Sequence, residues 1–474
     1  MTPSSASRLI APPARLSLYL AFCLLAACST NHAEGPPPPD SAQAAAFLDT
    51  LEARTFHYFW ELTNTTNGLV PDRSPTPSFS SIAAVGFGLT AYPIGVERGY
   101  ITRDQARQRV VTTLRFFWTA RQDSTTAATG YHGFFYHFLD MNSGARYQQV
   151  ELSTIDTALL LGGVLFCQSY FADPADSTEA TIRGLADSIY RRVDWQWFSP
   201  RPPVVSLGWH PESGFLAYDW RGYNEAMILY VLALGSPTHP VDTSAWSQWT
   251  SQYQWGTFYG QTHLGFAPLF GHQYSHVWVD FNGIQDPYMR AHGIDYFVNS
   301  RRATYAQRSY ATTNPGAWTG YNDRIWGLSA SDGPGDMTVT IGGTMRQFHS
   351  YWARGASFTE IQDDGTIAPT AAGGSIPFAP EIAIPALYAM RQTYGNALFS
   401  TYGFRDAFNP TFTQSSAAGW FDVDYLGIDQ GPIIAMIENY RTGLVWNAMR
   451  SNPYIVRGLC RAGFTGGWLT GKCP

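Results

Sequence analysis

Apolar residues recur every three or four positions through most of this chain, in segments separated by long polar connections rich in Gly and aromatics. Leu152, Ile155, Leu159 and Val164 form one such stripe. The pattern predicts helices over Ser41 to Leu62, Ser80 to Arg98, Thr102 to Arg121, Glu151 to Phe171, Asp176 to Asp194, Tyr223 to Gly235 and Thr243 to Trp255. It continues with Phe266 to Phe281, Ile294 to Tyr310, Pro380 to Tyr394 and Pro432 to Arg450. Gly99 and Gly235 mark stops. One hairpin is expected, pairing Gly133 to Asp140 with Tyr147 to Val150 around Asn142-Ser-Gly144.

The helix count approaches the twelve of an (α/α)6 toroid, and no fixed-period repeat supports a solenoid. The expected class is therefore all-α, as one toroid with long decorated loops. No linker divides the chain after Asp40. The expected domains are a lipoprotein signal peptide over 1–27, a Pro-rich tether over 28–46 and a toroid over 47–474. The run LSLYLAFCLL is too short to span a bilayer and ends in Leu-Ala-Ala-Cys28, a lipobox-like site for lipidation. Ser29 after that Cys points to the bacterial outer membrane, and Pro36 to Pro39 would stiffen the tether.

Charged residues make up only 14% of the chain and aromatics 15%, with a net charge of −6. Lys472 is the sole lysine and no basic run exists, which argues against a nucleic-acid partner. Cys167 lies on an apolar stretch and is expected as a buried thiol. Cys460 and Cys473 are expected to pair in an oxidising compartment, worth ~3 kcal/mol.

Carboxylates beside aromatics at loop–helix junctions are the chemically suggestive feature. Asp219-Trp-Arg-Gly-Tyr-Asn-Glu225 runs into AMILYVLALG, and Asp422-Val-Asp-Tyr-Leu-Gly-Ile-Asp429 runs into IIAMIENY. Glu225 is expected in a first helical turn capped by Asn224, where burial would raise its pKa and the helix dipole would lower it. Asp429 is expected just outside a helix opened by Pro432, a setting that favours the anion. Asp422 and Asp424 are alternatives to it. Asp156 falls on an apolar stripe and needs partners there. His272, His276 and Asp280 at four-residue spacing could face sugar hydroxyls; neither a metal nor a cofactor is expected. Asp364-Gly365 and Asn409-Pro read as turns. Phosphate-loop and serine-elbow patterns are absent.

GYNEAMILYVLALGSPTHP, ELSTIDTALL, GHQYSHVWVDF, NSRRAT, WGLSASDGP, DDGTIAPTAA, PFAPE and DYLGIDQGPI resemble, in order, the bacterial glucoamylase-like domain of glycoside hydrolase family 144. The resemblance implies an (α/α)6 endo-β-1,2-glucanase that inverts the anomeric centre, with its cleft where inner-helix N-termini meet. By that resemblance Glu225 is the general acid, Asp429 the base and Asp156 a supporting residue. Trp220, Tyr223, His272, His276, Arg301, Trp326 and Glu381 become candidate sugar contacts. The expected partners are a β-glucan and a lipid anchor, and the expected assembly is a monomer. Two other classes remain: a polysaccharide lyase, which calls for more cationic neutralisation and fits less well, and a non-catalytic glycan-binding lipoprotein, which the aromatics and polar rows alone would serve equally well.

Overall fold

A computed structural model describes residues 37–473. The expected signal peptide and lipidation site Cys28 lie outside the described residues. The expected tether does not run to residue 46, because a helix opens at Ser41. Asp40 caps it: its carboxylate accepts the Gln43 N–H at 2.8 Å, and the Gln43 side chain accepts the Asp40 N–H at 3.0 Å.

Twelve helices carry the architecture: α1 (Ser41–Leu62), α2 (Ile82–Glu97), α3 (Arg103–Thr119), α4 (Thr154–Tyr170), α5 (Ser177–Arg192), α6 (Met227–Gly235), α7 (Tyr274–Trp278), α8 (Tyr296–Thr313), α9 (Pro369–Gly373), α10 (Pro380–Tyr394), α11 (Gly427–Arg441) and α12 (Pro453–Arg461). An inner ring closes as α2 packs on α4, α4 on α6, α6 on α7, α9 on α11 and α11 back on α2. The Gln273 amide, donating to the Ala371 carbonyl at 2.8 Å, carries the ring from α7 to α9. The remaining six helices lie outside it.

Composition explains which helices are inside. The inner helix α6, MILYVLALG, is apolar all round and wholly buried, whereas the outer α5 buries only one stripe. Glycine permits the closest crossings. A Cβ on Gly163 of α4 would stand 2.1 Å from the Gly86 carbonyl oxygen of α2, and one on Gly458 of α12 would stand 2.0 Å from that of Val231 in α6. Thus the C-terminal helix, not the short Ser244–Thr250 helix, backs α6. Cys460 of α12 is bonded to Cys473 as expected, with Cα atoms 5.4 Å apart. Cys167 is a buried thiol, also as expected.

Where α2 and α11 end, charges are sealed inside. Glu52 of α1, fully buried, meets Arg441 at 2.6 Å and Arg98 at 3.3 Å, while Arg98 reaches Glu438 at 2.6 Å. The opposite ends of the inner helices, their N-termini, converge on the site described below.

Three expectations about local structure change. Phe134–Tyr136 does not pair with 147–150; it belongs to a five-stranded antiparallel sheet with Gly130–Tyr131, Leu152–Ser153, Gly208–His210 and Gly214–Phe215. Of the expected hairpin there remain a bridge between Leu139 and Arg146 and the Tyr147 N–H donating to the Phe138 carbonyl at 3.0 Å. The expected helix 266–281 is a single 3-10 turn, Leu269–His272, followed by the five-residue α7. The expected helix 432–450 begins five residues earlier and breaks at Gly443, whose φ of 70° a helix interior excludes; a short helix, Leu444–Met449, follows.

Candidate active site

Two joined cavities of about 170 and 270 Å³ open at the pole where the inner helices begin. Ser81 before α2, Ile155 and Asp156 in the first turn of α4, Glu225 before α6, Tyr274 opening α7 and Ile428 opening α11 all line them. His137, Tyr351 and Ile428 are shared walls. A separate polar cavity of about 370 Å³ adjoins the Glu225 end and is lined by Arg221, Tyr223, Gln252, Gln254, Phe266 and Glu360. Chain segment 221–225 spans the two regions, as does the Phe266–Phe270 ring pair with centroids 5.5 Å apart.

Glu225 is not in a helical turn capped by Asn224. Helix α6 starts two residues later, and its cap comes from another part of the chain: the Ser275 hydroxyl accepts the Ile228 N–H and donates to the Glu225 carbonyl, both at 2.9 Å. The Glu225 carboxyl therefore projects from a pinned turn into an apolar cavity edge formed by Leu159, Phe270 and Tyr274. Burial raises its pKa to about 7; its own backbone N–H opposes the shift and the Asp156 charge adds to it. Between the two effects weighed from sequence, burial prevails.

Asp156 stands in a charged triad. Ser153, which caps α4, donates to its carboxylate at 2.5 Å, and His137 Nε2 approaches it at 3.5 Å. His137 Nδ1 meets Glu151 at 2.8 Å. Burial would lower the His137 pKa, but the charges of Asp156 and Glu151 raise it to about 9, so the imidazolium persists at neutral pH. Burial raises Asp156 against that cation.

Asp429 lies in the first turn of α11, inside the helix rather than outside it, and Pro432 is interior. Both its carboxyl oxygens are buried, in the company of the Asp406 carboxyl and the Thr370 hydroxyl. The helix end does not make it a low-pKa anion: burial raises it to about 6, and Asp332 and Asp72 push the same way while Asp406 and Thr370 oppose. Asp406, also buried, is pushed well above the carboxylate range by burial and by Asp429. The buried phenol of cavity-lining Tyr274 is raised first by burial and next by the Asp429 charge. Asp429 itself lines none of the three cavities; its charge reaches the Tyr274 phenol on the wall of one of them. Asp424 accepts the Thr76 N–H at 2.8 Å, and Asp422 accepts the Asp424 N–H at 3.1 Å.

Two groups among the described residues have spacing compatible with a metal, His137–Glu151–Asp156 and Asp332–Asp406–Asp422. In the first, both ring nitrogens of the His137 cation face carboxylates. In the second, Asp332 is paired with Arg73 at 2.6 Å, and Asp406 accepts the Asp332 N–H at 2.7 Å. These groups read as ion-pair and carboxyl networks.

Several expected sugar contacts lie elsewhere. His272 and His276 are each 1% exposed. They meet the Phe266 carbonyl at 3.1 Å and Ser300 at 3.2 Å, and burial lowers both pKa values to about 3, which makes them neutral core residues. Asp280 is tied to Arg450, which breaks the expected row. Trp326 is 0% exposed. Trp220 anchors a loop by donating to Thr154 at 2.9 Å. Arg301 and Glu381, 2.6 Å apart, join α8 to α10, away from all three cavities. Tyr223 lines the polar cavity rather than the central pair. His137, Tyr351, Arg73 and Asp406 were not expected. They sit in connections with no local periodicity, and the Arg73–Asp332 pair spans 259 residues of sequence.

A closed double ring of helices with carboxyls gathered at the inner N-termini defines the class of protein. A family model described as "Glycoamylase: Putative glucoamylase" matches residues 217–453, and the chain belongs to that glucoamylase-like family. The chain is similar to the crystal structure of a "putative glucoamylase" from Bacteroides uniformis: 32% identity, 92% of this chain and 100% of that one covered, TM-score 0.79. It is similar to an endo-β-1,2-glucanase from Chitinophaga pinensis, solved with sophorotriose and glucose, at 28% identity over 90% of this chain and 99% of that one, TM-score 0.78. It is 29% identical over 446 residues to an exo β-1,2-glucooligosaccharide sophorohydrolase from Parabacteroides distasonis, covering 87% of this chain. The chain spans 57% of that curated relative's length.

Proposed function

We propose that this protein is an inverting glycoside hydrolase that cleaves β-1,2-glucan internally, with Glu225 as general acid and Asp429 as general base. The observation that carries the reading is Glu225: a carboxyl whose proton is held towards neutral pH by burial, at the edge of a cavity, with a second buried carboxyl, Asp429, at an inner-helix start across the ring. Glu225 gives its proton to the glycosidic oxygen as the C1–O bond breaks. Asp429 takes a proton from the water whose oxygen bonds to C1 from the opposite face, so the anomeric configuration inverts. Asp156 and the His137 cation flank Glu225, and the negative Asp156 keeps the Glu225 proton from leaving early.

The β-1,2 linkage is supported by the two relatives whose names carry it, and internal cleavage by cavities on both sides of Glu225. Export and a lipid anchor at Cys28 on the outer membrane belong to the same proposal and rest on the apolar run and Leu-Ala-Ala-Cys motif. Loss of fatty-acid labelling in Cys28→Ala tests that part.

The activity is tested by chromatography of linear β-1,2-glucan incubated with wild type, Glu225→Gln and Asp429→Asn. Mixed sophoro-oligosaccharides from wild type, with a loss of ~10³-fold in each variant, are expected. Disaccharide alone from the first time points would replace the internal mode by an exo mode. Unsaturated products would replace hydrolysis by elimination, and binding without cleavage would replace the enzyme by a glycan carrier.

A further inference from the structure

Tyr351 differs from the other aromatics at the cleft. It is 54% exposed, whereas Tyr274 beside it is 5% exposed. Among the described residues none hydrogen-bonds its hydroxyl, yet that phenol lies where the charges of Asp429 and Asp406 are felt. With His137 and Ile428 it lines both central cavities, so a chain running from Glu225 towards Arg73 and Phe79 passes it.

The loop that presents this ring is locked from beneath. Arg354 is 0% exposed, and its guanidinium grips Asp364 with two bonds, Nε to Oδ1 and Nη2 to Oδ2, both 2.7 Å. The same group donates to the carbonyls of Ser331 at 2.7 Å, His349 at 3.0 Å and Ser350 at 3.2 Å. Asp364 also accepts the His349 N–H at 3.0 Å, and Ser350 donates to Asp336 at 2.6 Å. The residues just before Tyr351 are thus fixed through both their N–H and C=O groups. Burying a guanidinium is costly, and here it ties the two carbonyls just before an accessible ring to Asp364 and Ser331.

We propose that Tyr351 is a binding platform for a pyranose ring at the junction of the two cavities, and that the Arg354–Asp364 pair is the positioning device that holds it there. This rests on the glycan-hydrolase reading above. A sugar offers a C–H face that packs on an aromatic face, and its hydroxyls can accept from the free phenol. Oligosaccharides long enough to fill both cavities gain from the platform, and the shortest do not.

The test uses Glu225→Gln protein, which binds without turnover, titrated calorimetrically with sophorose and with longer β-1,2-linked oligosaccharides. Adding Tyr351→Ala is expected to weaken the longer ligands about tenfold and sophorose much less, while Tyr351→Phe stays within about threefold for both. Arg354→Lys keeps the charge but loses the fork; it is expected to weaken the long ligands as Tyr351→Ala does, with thermal melting confirming the fold. Asp364→Asn serves if Arg354→Lys does not fold. Unchanged binding in Tyr351→Ala overturns the platform, and so does Tyr351→Phe as weak as Tyr351→Ala. Normal long-chain binding in a folded Arg354→Lys or Asp364→Asn protein overturns the positioning role. If wild type cleaves β-1,2-glucan while Tyr351→Ala matches it, the platform alone fails. If wild type neither binds nor cleaves that glucan, the parent reading falls and takes the platform with it.

Discussion

The hydroxyl of Ser275 donates to the carbonyl of Glu225 at 2.9 Å, joining the start of α7 to the turn that carries the proposed acid. The same oxygen accepts the Ile228 N–H, so one buried side chain both caps α6 and fixes the Glu225 backbone. The acid's position is therefore a property of two neighbouring inner helices and not of its own motif.

Ser275→Ala would leave two buried backbone groups unpaired, costing roughly 1–3 kcal/mol. A matching fall in denaturation midpoint is expected, together with a kcat about tenfold lower and a nearly unchanged KM, because the turn moves while the cavity walls stay. Unchanged kcat in a destabilised protein would show that the cap supports the fold alone.

The two carboxyls set opposite limbs of the pH profile. Asp429 must be ionised to accept a proton, so kcat/KM is lost as pH falls through its value of about 6. Glu225 must be protonated to donate, so activity is lost as pH rises through its value of about 7. A narrow bell between those values is expected in kcat/KM against pH. Because Asp429 titrates together with Asp406, the acid limb reports the pair. A plateau extending well above pH 8 would exclude Glu225 as the acid.

Asp422 gives a stability prediction with the sign fixed by linkage. Burial and the charges of Asp406 and Asp332 raise its pKa to about 8 in the fold, while the unfolded chain ionises it near the ordinary aspartate value of 3.8. The fold keeps the proton that the unfolded chain loses, so native stability declines as pH rises across that window. Asp422→Asn removes the effect. Its urea midpoint is expected to match wild type at pH 4 and to exceed it at pH 8. It is also expected to keep its cleavage activity, since Asp429 is the proposed base.

Long helices were legible because their signals are local. Asp40 with Gln43 marks the start of α1, and Pro380 marks that of α10; both were bounded correctly from sequence. The five-residue helices α7 and α9 offer too few turns for periodicity and exist through packing, so the first was drawn too long and the second missed. Glu225, Asp156 and Asp429 stand out in the sequence because each sits beside an apolar helix start. His272, His276 and Trp326 were misplaced because residue type does not say whether a side chain meets solvent or core. Tyr351 could not be read at all: its role comes from Arg354 and Asp364 beneath its loop, and Asp364-Gly365 carries only a turn signal.

Glu225 and Asp429 are proposed to act on opposite faces of one sugar. Proton NMR of linear β-1,2-glucan during the first turnovers reads this most directly, with Glu225→Gln and Asp429→Asn as controls. New reducing ends should appear first as the α-anomer with wild type and not at all with either variant. First appearance of the β-anomer, or α-anomer production by both variants at the wild-type rate, would contradict it.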